Sequence, residues 1–341
     1  VSDEPDQSED TMRERASSSD VWFWLLVEAD RLALVGALFV CIAAALVALG
    51  IFLPRVVALF TSGDPIETVF QALIGATITG VTLVVTLNQL VLSQELGAVG
   101  DQRNRMEAAG EFREDVADVL DAPISSPEPA TFLRSLVEIA GKRAETIRDR
   151  VAGDDSLDED FRDRVTTLTD DISTNADSVS DSLQGTQFGT FDTLSAVLDF
   201  NYSWKLYSAR RVRVENRDIL TDGQLDAIDD LIETLELFGP AREHFKTLYF
   251  QWELTALSRI ILAASLPSLV VSVAMVLFFD PAAFGPTASL WIVSGVVAVA
   301  MIPFLVLVSY VLRIAMVTQR TLSIGAFTLT ESDREESIEW E

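Results

Sequence analysis

Reactive side chains are nearly missing from this sequence. It has one cysteine, Cys41, and one histidine, His244, about 200 positions apart. Neither a His/Cys zinc set nor a Cys/His nucleophile pair can therefore be assembled within one chain. The same count excludes an intrachain disulfide, and no phosphate-binding loop or dinucleotide fingerprint occurs. Carboxylate pairs such as Asp154 and Asp155, or Asp170 and Asp171, are frequent, but in so acidic a chain they read as solvated faces. No residue is assigned to catalysis, no cofactor or metal is expected, and the chain reads as a non-enzyme.

Positive charge is the second scarcity. Lysine occurs only at Lys142, Lys205 and Lys246, and 52 acidic residues against 25 basic ones leave a net charge of −27. Nucleic acid is thereby excluded as a partner, because binding it needs a basic footprint. A dense carboxylate surface with few lysines suits a protein bathed in high salt, so a halophilic source is expected.

Charge of either sign is absent from four long apolar runs, at residues 32–54, 68–94, 260–279 and 281–312. Each is long enough to cross a bilayer core. Pro267 and Pro303, inside the last two runs, are candidate kinks. With no ionisable residue at depth, ion-coupled transport, proton pumping and voltage sensing are disfavoured, whereas a passive channel needs only hydroxyls, amides and carbonyls. The first apolar run is too long for the core of a cleaved signal, so no signal peptide is expected.

The second run carries a pattern. Thr68, Ala72, Gly75, Thr79, Thr82, Thr86, Gln89 and Ser93 recur at steps of four and three and are all small or polar. That spacing gathers them on one helix face, while Val69, Phe70, Leu73, Ile74, Val81, Val84, Leu87 and Val91 occupy the rest. Two uses fit the stripe. Small residues and hydroxyls permit close helix approach and interhelical hydrogen bonds, and the same groups serve as the wetted lining of a pore.

The fold expected is all-α: an integral membrane protein with four transmembrane helices and a long helical cytoplasmic domain between helices 2 and 3. Residues 1–20 are Ser/Asp/Glu-rich and read as a disordered acidic N-terminus. Residues 21–31, with Trp22 and Trp24, read as an interfacial segment. Transmembrane helices 1 and 2 fall in residues 32–94, a cytoplasmic helical bundle in 95–258, transmembrane helices 3 and 4 in 259–312, and a cytoplasmic C-terminal tail in 313–341. Two short links, at residues 55–67 and 280–286, fall on one side with Arg55 alone. Arg31, Arg103, Arg105, Arg242, Lys246, Arg259, Arg313 and Arg320 lie near the span ends on the other. Both termini and the middle domain are therefore placed in the cytoplasm.

Within that domain, helices are expected over residues 99–120, continuing the second span, and over 131–151, 157–183, 191–219 and from 225, with a break at Gly239 and Pro240. The narrow apolar stripe of Phe161, Val165, Leu168, Ile172, Val179 and Leu183 suits a mobile coiled-coil hairpin better than a buried core helix. Arg210, Arg213 and Arg217 share a face and form the cytoplasmic basic cluster, which either draws anions to a vestibule or pairs with acidic residues 226–233 on the next helix. Aromatics at Phe245, Tyr249, Phe250 and Trp252, just before the third span, read as a membrane-surface belt. Cys41 reads as a small packing residue.

The order of two spans, a long helical domain, two spans and a tail, over residues 32–319, resembles bestrophin-type and bestrophin-like membrane proteins. Here Thr79, Thr82, Thr86 and Gln89 stand where that family carries an aromatic neck. The resemblance implies a homo-oligomeric anion channel lined by the second span. The function expected is an oligomeric passive ion channel with Thr79, Thr82, Thr86, Gln89 and Ser93 facing the pathway, its partners being the lipid bilayer, ions and further copies of itself. The alternative is a non-catalytic membrane sensor or scaffold whose cytoplasmic domain binds a protein partner.

Overall fold

A computed structural model describes residues 31–52, 63–186 and 191–320. The acidic N-terminus, the Trp22/Trp24 segment as far as residue 30 and the tail from residue 321 lie outside them. The described residues are helical with short connections and contain no strand. They divide into two compact units, one built on Ala98–Tyr249 and the other on residues up to Gly97 together with Phe250–Val317.

The second of these holds α1 (Arg31–Phe52), α2 (Gly63–Glu95), the C-terminal part of α8 (Asp222–Phe278), α9 (Pro281–Ala300) and α10 (Ile302–Arg320). Four of these helices, α1, α2, α8 and α9, are long and apolar enough to cross a membrane, and α10 adds a shorter apolar stretch. Large side chains such as Leu49, Phe52, Leu266, Val270, Leu277 and Trp291 are exposed around this unit, more apolar surface than a water-soluble domain tolerates. Its interior has two apolar clusters. One joins Val35, Val84, Leu257, Ile261, Leu305 and Tyr310, and the other joins Ile66, Phe70, Met275, Val293 and Ala300.

The seam that closes this unit is a run of serines on α8. Ser258, Ser265, Ser268 and Ser272 are all buried, at spacings of seven, three and four, and the Ser268 hydroxyl donates to the Ala300 carbonyl at 2.8 Å. Short side chains at helical spacing let the backbones approach where apolar surroundings supply no hydrophobic drive. Gly50 serves the same purpose on α1, since a Cβ there would meet the Leu290 side chain at 2.2 Å. Cys41, by contrast, is exposed on α1 and is not enclosed by the packing of this unit.

The last apolar run is broken twice, at Gly285, whose φ of 73° and ψ of 165° leave helical geometry inside α9, and again at Met301. α9 ends at Met301, and Pro303, at the second position of α10, has no N–H to continue the ladder, so the proline acts at a helix start. Pro267 is exposed within an uninterrupted α8.

The other unit contains α3 (Val99–Val119), α4 (Pro129–Ala152), α5 (Glu159–Leu183), α6 (Phe191–Leu198), α7 (Tyr202–Glu215) and the N-terminal part of α8. α3 does not continue α2: residues 96–98 leave helical geometry, with Ala98 extended at ψ 153°. α4 starts at Glu128, whose carboxylate accepts from the Ala130 and Thr131 backbone N–H groups at 3.0 and 2.6 Å, followed by Pro129. Burial opposes ionisation of that carboxyl, but the bonds from Thr131 and Ala130 outweigh it and hold it below the ordinary carboxylate value.

α5 is a core helix, contrary to the sequence expectation. Phe161, Val165, Leu168, Ile172, Ala176, Val179 and Leu183 are buried against α4, and Gly141 brings the two so close that a Cβ would sit 3.0 Å from that of Ala176. The pair is antiparallel, with Arg134 reaching Ser180 and Arg148 reaching Asp170. The narrow stripe suffices because alanines and serines complete the contact.

Gly239 and Pro240 do not interrupt α8, which runs through them. Gly239 instead makes room for Tyr202, whose Cε2 would lie 2.8 Å from an added Cβ, while Pro240 is exposed. Phe245 and Tyr249 are not belt residues either: Phe245 meets Phe132 and the buried Tyr249 meets Phe191, leaving Trp252 exposed.

Candidate functional site

The eight positions of the α2 stripe behave as one surface. Thr68, Ala72, Gly75, Thr79, Thr82, Thr86, Gln89 and Ser93 are all exposed. Buried Ile66, Phe70, Thr77 and Val84 lie two residues away from stripe positions, roughly 200° around the helix. The chain therefore packs α2 by the face opposite its stripe. No packing inside the chain uses the small residues: a Cβ added at Gly75 would meet nothing within 4 Å.

The hydroxyls on this face are turned back on their own helix. Thr79 donates to the Gly75 carbonyl, Thr82 to Ile78 and Thr86 to Thr82, each at 2.9 Å, and Ser93 donates to Leu90 at 2.7 Å. Each hydroxyl hydrogen is thus satisfied, and each oxygen keeps lone pairs directed outward. The result is a band of acceptors beside the exposed Gln89 amide. Thr79, Thr82, Thr86, Gln89 and Ser93 share this face, as the sequence pattern requires.

A second feature, missed from sequence, is a buried charge cluster in the same unit. Arg31, the first residue of α1, forms an ion pair with Glu253 of α8, which is 4% exposed. The Arg31 guanidinium also lies over the Tyr310 ring of α10, 4.5 Å from its centroid. Arg313, one turn further along α10, is buried as well. Three helices are tied at one point. The signal in the sequence was Glu253 itself, a lone acid between aromatics and an apolar run, but its partner lies 222 positions away.

The basic cluster is largely neutralised. Arg213 holds Asp229 with two nitrogens, one of them at 3.0 Å, Arg210 pairs with Glu236 at 2.5 Å and Arg211 with Glu215 at 3.0 Å. The Asp229 hydrogen bond raises Arg213 further above its already high value. Arg217 is exposed. Among the described residues, no group of three or more His, Cys, Asp or Glu side chains could hold a metal ion.

Residues 1–341 match one family, DUF7972, described as a family of unknown function. The chain belongs to that family. No curated protein and no solved structure matches it. Among the described residues of this DUF7972 protein, the polar face of α2 is a surface that the chain's own packing leaves without a use.

Proposed function

We propose that this chain is a multi-pass protein of the cell membrane that assembles as a homo-oligomer around α2 and forms a passive ion channel. Its spans are α1, the apolar part of α2, the C-terminal part of α8, and the bent α9–α10 pair. Both termini and the helical unit at residues 98–249 face the cytoplasm. The observation that carries the proposal is the exposure of the eight-residue stripe opposite the face that α2 packs with. In a bilayer an unpaired amide such as that of Gln89 is costly against hydrocarbon. Another copy, or water held between copies, removes that cost. Outward-facing oxygens of Thr79, Thr82, Thr86 and Ser93 offer ligands to a partly dehydrated cation or hydrogen-bonding sites to a water column. The order of spans, similar to that of bestrophin-like channels, agrees with this.

The back-bonded hydroxyls favour a second reading, a membrane sensor or scaffold. With their hydrogens already satisfied, the threonines fit a dry helix–helix seam, and the cytoplasmic unit would then bind a protein partner. One experiment separates the two. The detergent-purified protein is weighed by light scattering corrected for bound detergent, and ion flux is recorded from liposomes for the native chain and for Thr82→Leu with Thr86→Leu. A channel predicts a discrete oligomer for both and at least a tenfold loss of flux in the variant. A seam predicts no flux from the native chain and a smaller mass for the variant. A monomeric native chain rejects the oligomer.

A further inference from the structure

One face of α8 is exposed along the whole of its apolar part. Trp252, Arg259, Leu266, Val270, Val273 and Leu277 are all exposed, and at 3.6 residues per turn they lie within about 60° of one another. The buried serines of the same helix, Ser265, Ser268 and Ser272, lie on the opposite side. The order along the exposed face is a tryptophan, an arginine two turns later, and from there only apolar side chains. Arg259 is the last charge before the uncharged run at residues 260–279. Among the described residues its guanidinium has neither an ion pair nor a hydrogen bond. The nearest acid along the helix, the buried Glu253, is already taken by Arg31.

Charge and depth identify what meets this face. Side chains on a helix lean toward its N-terminus, so the stem of Arg259 runs back toward Trp252. Its methylenes then stay among acyl chains while the guanidinium rises to the level of the headgroups. Trp252 belongs at that same level, with an indole N–H to donate. A guanidinium there matches the paired oxygens of a phosphate. The local balance of charge selects among headgroups: at this end of the unit Arg31, Arg259 and Arg313 stand against Glu253 and Glu95, an excess of cations in a chain of net charge −27. An anionic headgroup gains from that excess, whereas a zwitterionic one brings an ammonium that offsets its phosphate. Free phosphate would leave the apolar strip from Leu266 to Leu277 unused. A second copy in two-fold contact through the same face would set Arg259 against Arg259, a like-charge contact that costs affinity.

We propose that Trp252 and Arg259 form a binding site for an anionic phospholipid, with Arg259 on its phosphodiester, Trp252 beside the headgroup and one acyl chain lying along Leu266, Val270 and Leu277. The proposal rests on the membrane reading above and is independent of the channel. Its test gives the full chain, purified in detergent, an equimolar mixture of phosphatidylglycerol and phosphatidylcholine with identical acyl chains, and counts bound lipid by native mass spectrometry. The native chain is expected to retain phosphatidylglycerol at least about fivefold over phosphatidylcholine. Arg259→Gln, which breaks no ion pair of the described residues, should bring the two lipids to parity, and Arg259→Lys should keep part of the preference. Arg217→Gln, the same loss of charge at an exposed position of the other unit, should change nothing. Equal retention by the native chain, a preference that survives in Arg259→Gln, or an equal loss in Arg217→Gln overturns the site. Displacement of phosphatidylglycerol by excess inorganic phosphate overturns the lipid as its occupant. A chain that stays in solution without detergent overturns the membrane reading as well.

Discussion

Arg31 and Glu253 show how one pair can decide the geometry of a unit. Burying a carboxylate costs several kcal/mol, and the energy is recovered only if a cation meets it directly. Glu253 is 4% exposed and holds Arg31, which in turn covers Tyr310, so α1, α8 and α10 are placed together by a single neutral group. Removing one partner leaves the other charged and dry. Arg31→Ala should lower the unfolding free energy in mild detergent by about 3–5 kcal/mol. Arg31→Met with Glu253→Met, which removes both charges and keeps the volume, should recover most of that loss. A loss under about 1 kcal/mol for the single variant would show that Glu253 finds water or another cation instead.

At the scale of elements, Gly239 and Pro240 form an informative pair, because they sit side by side in α8 and should respond with opposite signs. Alanine at position 239 gains about 1 kcal/mol of helix propensity but drives a Cβ to within 2.8 Å of the Tyr202 ring. That ring is held by Phe238 and by the Arg242 guanidinium 4.7 Å above it, so it cannot swing aside freely. Overpacking of this kind costs about 1–3 kcal/mol and wins. Pro240 is exposed and only denies α8 a hydrogen bond, so Pro240→Ala should raise stability, by up to about 3 kcal/mol. Denaturant titration of both variants checks the signs; a stabilised Gly239→Ala would mean that Tyr202 yields. The Gly-Pro step reads as a break in the sequence because local propensity says so, and tertiary contacts with Tyr202 override it. The same limit explains the other differences. Periodicity exposed the helical class, the four apolar runs and the stripe from Thr68 to Ser93, since each is a property of neighbours three and four apart. It could not reveal the Arg31–Glu253 pair, the burial of α5 or the gap at residues 96–98, which depend on partners far away in the chain or on a single backbone angle. That the stripe is exposed, and not merely polar, is likewise a property of the packed unit.

For the whole molecule the dominant physical quantity is charge. Each copy carries −27, so an assembly of n copies concentrates n times that charge around one axis. The contact proposed for assembly is an uncharged face of α2, which gains nothing from ionic attraction, so the electrostatic term is purely repulsive. Its range is set by salt: the Debye length is about 10 Å at 0.1 M and about 3 Å at 1 M. At low salt, acidic surfaces of adjacent copies still sense each other across the gap between them, whereas at 1 M or above only touching groups do. Assembly and folding should therefore both improve with sodium chloride. Between 0.05 and 2 M the oligomer's dissociation constant is expected to fall at least tenfold and the unfolding midpoint to rise by several degrees. Sodium chloride and potassium chloride should act alike, because screening depends on ionic strength and not on the ion. A marked preference for one cation would point to specific carboxylate sites, and an assembly indifferent to salt would mean that the acidic surfaces are held too far apart in the oligomer to interact.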